Sequence, residues 1–198
     1  MKKTIRIVSY KIIFTVIFVL LLNVSACSAP EANQDIDPAD IVRAILDNLG
    51  IDPSDVGTLF YSEGDEDHIY EDMFLRIMFP PSRNPGGDIV YTMDLFDQYA
   101  IIQYEKHKPV IFEIGIFKVS KSAHENDMAY RNNLSRIETM CQERIARVKR
   151  QAMEYKPELA FIADKSNVFI FDNYVYYVIA EDSAAGYSTI RSKLTVKD

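Results

Sequence analysis

Apolar and polar positions alternate along this chain in two rhythms, and the change from one to the other marks its elements. Asp37-Pro38 reads as a helix cap followed by proline at the first helical position. Ile41, Val42, Ile45, Leu46 and Leu49 then form one apolar face before Gly50 ends the helix. Turn residues and acids follow as far as Asp67. Met73 to Phe79 is a strand candidate, stopped by the proline- and glycine-rich run Pro80 to Gly87, which reads as a loop. Ile89 to Met93 and Ala100 to Tyr104 are further strand candidates. Val110 to Val119 is the best strand, with Ile111, Glu113, Gly115 and Phe117 on one side and Phe112, Ile114, Ile116 and Lys118 on the other. The second of these faces is expected to look into the core.

Ser122-Ala123-His124-Glu125 matches a capping box, and a long helix is predicted to run from there to about Tyr155. Leu134, Ile137, Cys141, Ile145, Val148 and Ala152 form its apolar stripe, with Arg144 and the other charges assigned mostly to other faces. Pro157 ends it. Ala160 to Ala163, Val168 to Phe171 and Val175 to Ala180 read as closing strands, the last two joined by an Asp172-Asn173 turn, and a C-terminal helix is expected from Ser183. Strands grouped between helices predict an α+β fold: an antiparallel sheet with helices packed mainly on one face.

The first 26 residues break this pattern. Lys2, Lys3, Arg6 and Lys11 precede an apolar stretch from Ile12 to Leu22, and Val24-Ser25-Ala26-Cys27 closes it. Cations, then an apolar run, then small residues form the plan of an export signal. A spanning helix needs about 20 apolar residues, and here the run gives way to Asn23, Ser25 and Pro30-Glu31. Val24 to Cys27 resembles the lipobox of bacterial lipoproteins. That resemblance implies diacylglycerol on the Cys27 thiol, removal of residues 1–26, and an often acylated new amino terminus. Each buried methylene contributes about 0.8 kcal/mol, so paired acyl chains anchor a protein that one chain would not hold. The organisation expected is a signal peptide over 1–26, a lipidated tether over 27–36 and a single α+β domain over 37–198.

Processing would also change the charge. Residues 1–26 carry four of the 22 basic side chains and none of the 29 acidic ones, so the remainder holds 18 against 29, a net −11. Such a domain is repelled by an anionic surface and is a poor partner for nucleic acid. With Cys27 lipidated, Cys141 is the other thiol and no internal disulfide can form. On the helix stripe, Cys141 reads as a buried hydrophobe rather than a nucleophile.

Candidate chemistry is sparse. The acids around Asp65, Asp67, His68 and Glu71 could supply oxygen ligands to calcium, but their spacing does not fit an EF-hand loop, and a solvated acidic segment is the plainer reading. His107 and His124 stand at no helical ligand spacing from His68. His124-Glu125 fails the zinc-protease pattern because Met128 stands where the second histidine belongs. Serine-hydrolase elbows, P-loops and dinucleotide-binding turns have no counterpart in the sequence, and no cofactor is implied. Lys118, at the end of the most apolar strand, reads as a strand-edge lysine with its ammonium in water. Tyr174, Tyr176 and Tyr177 with Phe169 and Phe171 offer an aromatic surface for a glycan or peptide, though core on one face and partial cover on the other is the commoner reading of aromatics at alternating strand positions. Arg83 in the Pro80–Gly87 loop is a further contact candidate, or part of a plain connector.

Glu113 to Val119, the long helix with Glu143-Arg144, the Tyr155-Lys156-Pro157 step and the Asn173 to Ile179 strand resemble a family of uncharacterised bacterial lipoproteins that carry a domain of unknown function behind a lipobox. The resemblance covers about Asp37 to Leu194, with Pro80–Pro109 longer than the family pattern. It implies architecture and anchoring at the outer face of the cell membrane, and no catalytic residues. The expected function is a membrane-anchored, extracytoplasmic interaction or ligand-binding module, not an enzyme, whose partners are the membrane through lipid on Cys27 and an envelope protein or wall component. An extracytoplasmic hydrolase or wall-modifying enzyme and a calcium-dependent structural module are the alternatives.

Overall fold

A computed structural model describes residues 35–62, 75, 78–79, 82–83, 86–87, 89–90, 95–119 and 127–195. Cys27, the 1–26 segment, most of the 27–36 tether, Asp65, Asp67, His68, Glu71 and the Ser122–Glu125 capping box lie outside them. The described residues belong to one unit, which spans Ala32–Asp198.

Helix α1 (Pro38–Leu49) starts and stops where its cap chemistry dictates. The Asp37 carboxylate accepts from the Ala39 N–H at 2.7 Å, and Gly50, at φ 64°, closes the other end by donating to the Asp47 and Leu46 carbonyls. Asp52 repeats the device for the short helix α2 (Pro53–Val56). Strand β1 (Leu59–Tyr61) follows, then the two-residue strands β2 (Ser82–Arg83) and β3 (Ile89–Val90), which pair with each other. Strands β4 (Phe96–Ile102) and β5 (Glu113–Val119) lead to the long helix α3 (Asp127–Tyr155). A 3-10 turn (Pro157–Leu159), helix α4 (Ala160–Asp164), strands β6 (Val168–Phe171) and β7 (Tyr174–Ile179), and helix α5 (Ser183–Leu194) complete the order.

The main sheet runs β1-β4-β5-β7-β6, antiparallel throughout, with β5 at its centre. This is the α+β class expected. The helices, however, are divided between both faces, so every residue of β5 and β7 is buried. Ile111, Phe117, Val175, Tyr177 and Ile179 pack with Ile137, Cys141, Val148 and Ala152 of α3 and with α4. Phe112, Ile114, Ile116, Tyr176 and Val178 pack with Ile41, Val42, Ile45 and Leu46 of α1 and Ile190 and Leu194 of α5. Both alternating faces of β5 are therefore core faces, where the pattern had suggested one.

Three local readings are corrected. Within Met73–Phe79, Leu75 and Met78 are helical, and the Phe79 N–H donates to the Leu75 carbonyl at 2.7 Å, one helical turn back. Ala160–Ala163 is helical, because Pro157, besides stopping α3 at Tyr155 as expected, opens a new helical turn with Glu158. Ser82–Arg83 inside the expected Pro80–Gly87 loop pairs with Ile89–Val90 as a strand. The Asp172-Asn173 turn joins β6 to β7 as expected, with Asp172 at φ 51° in the left-handed region that Asp tolerates.

Candidate functional site

Chemistry gathers at three places along the central pair β5 and β7. On the α3 face, Glu113 is fully buried and its carboxylate accepts four hydrogen bonds: from Arg144 Nε at 2.8 Å and Nη2 at 2.6 Å, from Tyr177 Oη at 2.7 Å and from the Tyr104 backbone N–H at 2.9 Å. Arg144 is buried with it, against the expectation that placed it among the solvent-facing charges. Its position follows from spacing, since Cys141, Arg144, Val148 and Ala152 lie three and four residues apart on one helix face. Gly115 is part of the same arrangement. Tyr177 lies directly opposite it across the β5–β7 ladder, and a Cβ at Gly115 would come within 2.4 Å of the phenol ring, so only glycine lets that ring cross to Glu113.

Burial disfavours charge on Arg144, but the Glu113 charge and its hydrogen bonds outweigh burial and hold the guanidinium pKa above its usual value. Burial, reinforced by Glu113, pushes the Tyr177 phenol and the Cys141 thiol well up, so both stay protonated. Cys141 is thus the buried hydrophobe expected. A carboxylate has about four acceptor positions, and those of Glu113 are filled. The cluster is a closed structural pair, with no acceptor left to take a proton from a substrate.

At the far end of β5 sits Lys118, buried in the central strand, which corrects the strand-edge reading. Its ammonium donates to Gln98 Oε1 at 2.6 Å and pairs with Asp35. Tyr174, directly across the ladder, donates its hydroxyl proton to the Ile36 carbonyl at 2.8 Å and accepts from the Ile36 N–H at 3.0 Å. Asp35 and Ile36, which precede the Asp37 cap of α1, are thereby fastened to the middle of the sheet. Burial, with Asp35 nearby, pushes the Tyr174 pKa up to about 12.

The third place is a cleft of about 740 Å³ at the opposite end of the same strands, where β5 begins and β7 ends. Leu49, Ile51 and Val56 come from the α1–α2 corner, Val110, Ile111 and Phe112 from the approach to β5, Ile162 from α4 and Ala180 from the end of β7. Asp55, Lys108, Glu181 and Asp182 supply its charged lining. Ile111 belongs to the core on the α3 face and Phe112 to the core on the α1 face, so the cleft opens where the two cores meet. Spacing along the chain shows none of this, because the lining comes from four separated segments.

The other candidates do not converge. His107 Nε2 approaches Glu105 Oε2 at 2.9 Å, but its side chain is 71% exposed and neither residue lines the cleft. Tyr174, Tyr176 and Tyr177 are buried, and Phe169 is the exposed member of that aromatic group. Among the described residues, no group of three or more His, Cys, Asp or Glu is placed to hold a metal, and no helix is long and apolar enough to cross a membrane. No protein-family model, curated protein or solved structure matches this chain.

Proposed function

We propose that this chain is an extracytoplasmic lipoprotein, held at the outer face of the membrane by lipid on Cys27, whose domain is a non-enzymatic binding module with its ligand site in the apolar cleft. The observation that carries the reading is the opposition of the two ends of β5. The tether side enters at Lys118 and Tyr174, and the cleft opens at the other end of the strand, about 20 Å away for seven residues at ~3.3 Å each. The described chain therefore joins the domain, at Asp35 and Ile36, at the end of β5 away from the cleft. The size and apolar lining of the cleft suit a ligand or partner segment with an apolar body, and the saturated Glu113 carboxylate argues against chemistry beneath it.

Two measurements test the reading. Cys27→Ala is expected to lose acyl labelling and leave the membrane fraction, or to remain unprocessed; normal labelling would sink the anchor. A photo-crosslinking residue at Val110, which is exposed and lines the cleft, is expected to capture one reproducible species in native membranes, and the same probe at the exposed Met153 of α3 is not. Equal capture at both positions would remove the cleft from the proposal. The hydrolase alternative draws on the Glu105–His107 contact alone and would be favoured if a turnover found with the purified chain vanished in His107→Ala.

A further inference from the structure

The outer edge of the sheet is built differently from the cleft and the ion pair. Strand β6 is the terminal strand, and among the described residues it pairs with β7 alone. Its four residues, Val168-Phe169-Ile170-Phe171, include no charge and no proline, and their ladder to β7 has no bulge. Those are the usual devices that keep an edge strand from pairing with another chain. Phe169 and Ile170 are 41% and 43% exposed on opposite faces of this edge. Phe169 is also held in place, stacked on Tyr176 with ring centres 6.0 Å apart and edge-on to Tyr187 at 4.6 Å. The Tyr187 hydroxyl in turn accepts from the Asn167 N–H at 3.1 Å and donates to the Asn167 carbonyl at 2.9 Å, fixing the start of the strand.

We propose that two copies of this chain join edge to edge through β6, antiparallel about a two-fold axis at Phe169. The occupant follows from the backbone. A two-residue turn makes Phe171 and Tyr174 a hydrogen-bonded pair, so Phe171 and Phe169 turn their N–H and C=O toward β7, and Val168 and Ile170 turn theirs outward. Whatever covers this edge must be a strand presenting its own groups at alternate residues. A second β6 does so when Phe169 faces Phe169: Val168 then lies opposite Ile170 of the other copy, and Ile170 opposite Val168, and the outward groups of both strands are satisfied together. The two Phe169 residues form a non-hydrogen-bonded pair with Cα atoms about 4.5 Å apart and rings on the same face, an arrangement that favours aromatic contact. In this register Asp172 meets Ser166 and Asn167 meets Phe171, so no like charges face each other. The contact uses the same patch on both copies and closes as a dimer. Four residues a side is far below the roughly 800 Å² per partner of a standard interface, so association is concentration-dependent, and co-tethering on one membrane would strengthen it. The proposal stands independently of the cleft.

Disulfide trapping in the full chain tests it. Under mild oxidation of native membranes, Phe169→Cys is expected to give a covalent dimer at least about fivefold above the parent chain and above Ile170→Cys, because the two Ile170 Cα atoms would lie about 8 Å apart, beyond the ~7 Å reach of a disulfide. The parent supplies the background from Cys141 and from any Cys27 that has not been lipidated. Equal trapping at 169 and 170, a ladder of higher species, or a covalent adduct to a different protein would each overturn the proposal. Sedimentation of the full chain in detergent gives a second readout. The parent is expected to pass from monomer to dimer with rising concentration, and Phe169→Lys to stay monomeric at every concentration while keeping the circular dichroism spectrum of a folded chain. A parent that remains monomeric, together with background trapping at Phe169→Cys, would refute edge pairing.

Discussion

The two faces of the central sheet are built by different physics although they share the same strands. On the α1 and α5 face, Phe112, Ile114 and Ile116 of β5 meet Ile41, Val42 and Ile45 in an apolar core. On the α3 face the same strand contributes Glu113, Gly115 and Phe117, and a charged pair sits among the apolar side chains. An apolar face loses stability gradually, by the volume removed. A buried pair with every hydrogen-bond position filled fails abruptly, because removing one partner strands the other charge away from water. The α3 face therefore sets the register of α3 on the sheet more strictly, and substitution should separate the two behaviours.

Arg144→Met breaks the comparison hardest. It leaves Glu113 with the Tyr177 and Tyr104 donors but no counter-charge, and is expected to cost about 3–5 kcal/mol in denaturant unfolding. Adding Glu113→Gln should recover part of that loss, since it removes the stranded charge and keeps an amide oxygen to accept from Tyr177 or Tyr104. A double variant as unstable as Arg144→Met alone would mean that packing, not the stranded charge, set the cost. Gly115→Ala comes next, at about 1–3 kcal/mol, because its Cβ meets the Tyr177 ring where Glu113 holds it. On the opposite face Ile116→Val, one residue along the same strand, should cost about 0.5–1.5 kcal/mol. If Ile116→Val matched or exceeded Gly115→Ala, the distinction between the faces would fall.

How much of this could be read from the residues depends on whether a signal was local. Helix α1 was legible because Asp37-Pro38 and Gly50 mark its ends chemically, and the β6–β7 hairpin because Asp172-Asn173 marks its turn. The Ala160–Ala163 run was not, since a four-residue apolar stretch fits a buried strand or a helix equally; Pro157-Glu158 just before it was the informative signal. Leu75, Met78 and Phe79 carried a helical signal in their three- and four-residue spacing. Apolar residues on both sides of β5, Ile111 and Phe117 on one and Phe112, Ile114 and Ile116 on the other, were the signal of a sheet covered on both faces that the one-face reading passed over. The ion pair had traces as well: Arg144 on the apolar stripe of α3 and Glu113 inside the most apolar strand are each an unexplained charge, and each explains the other. The cleft left no trace, because Leu49, Val110, Ile162 and Ala180 meet only through tertiary packing.

The smallest effect concerns the tether end, where the apolar face has its own polar fastening. Tyr174 holds Ile36 through two hydrogen bonds, and its pKa is raised to about 12, first by burial and then by the charge of Asp35, partly offset by the Ile36 bond. In the unfolded chain a tyrosine ionises near pH 10. A folded-state pKa above that value means the protonated phenol contributes stability in full below pH 10, and the contribution is lost as pH rises toward 12. Tyr174→Phe should therefore cost about 0.5–1.5 kcal/mol at neutral pH, the usual range for a hydrogen bond open in part to water. The gap between parent and variant melting temperatures should then close between pH 10 and 12. Tyr130, also raised to about 12 by burial and by Asp172, is present in both chains and cancels in the difference. A gap that stays constant across this window would show that the Ile36 fastening does not depend on the Tyr174 proton and rests on the bond that the phenol oxygen accepts from the Ile36 N–H.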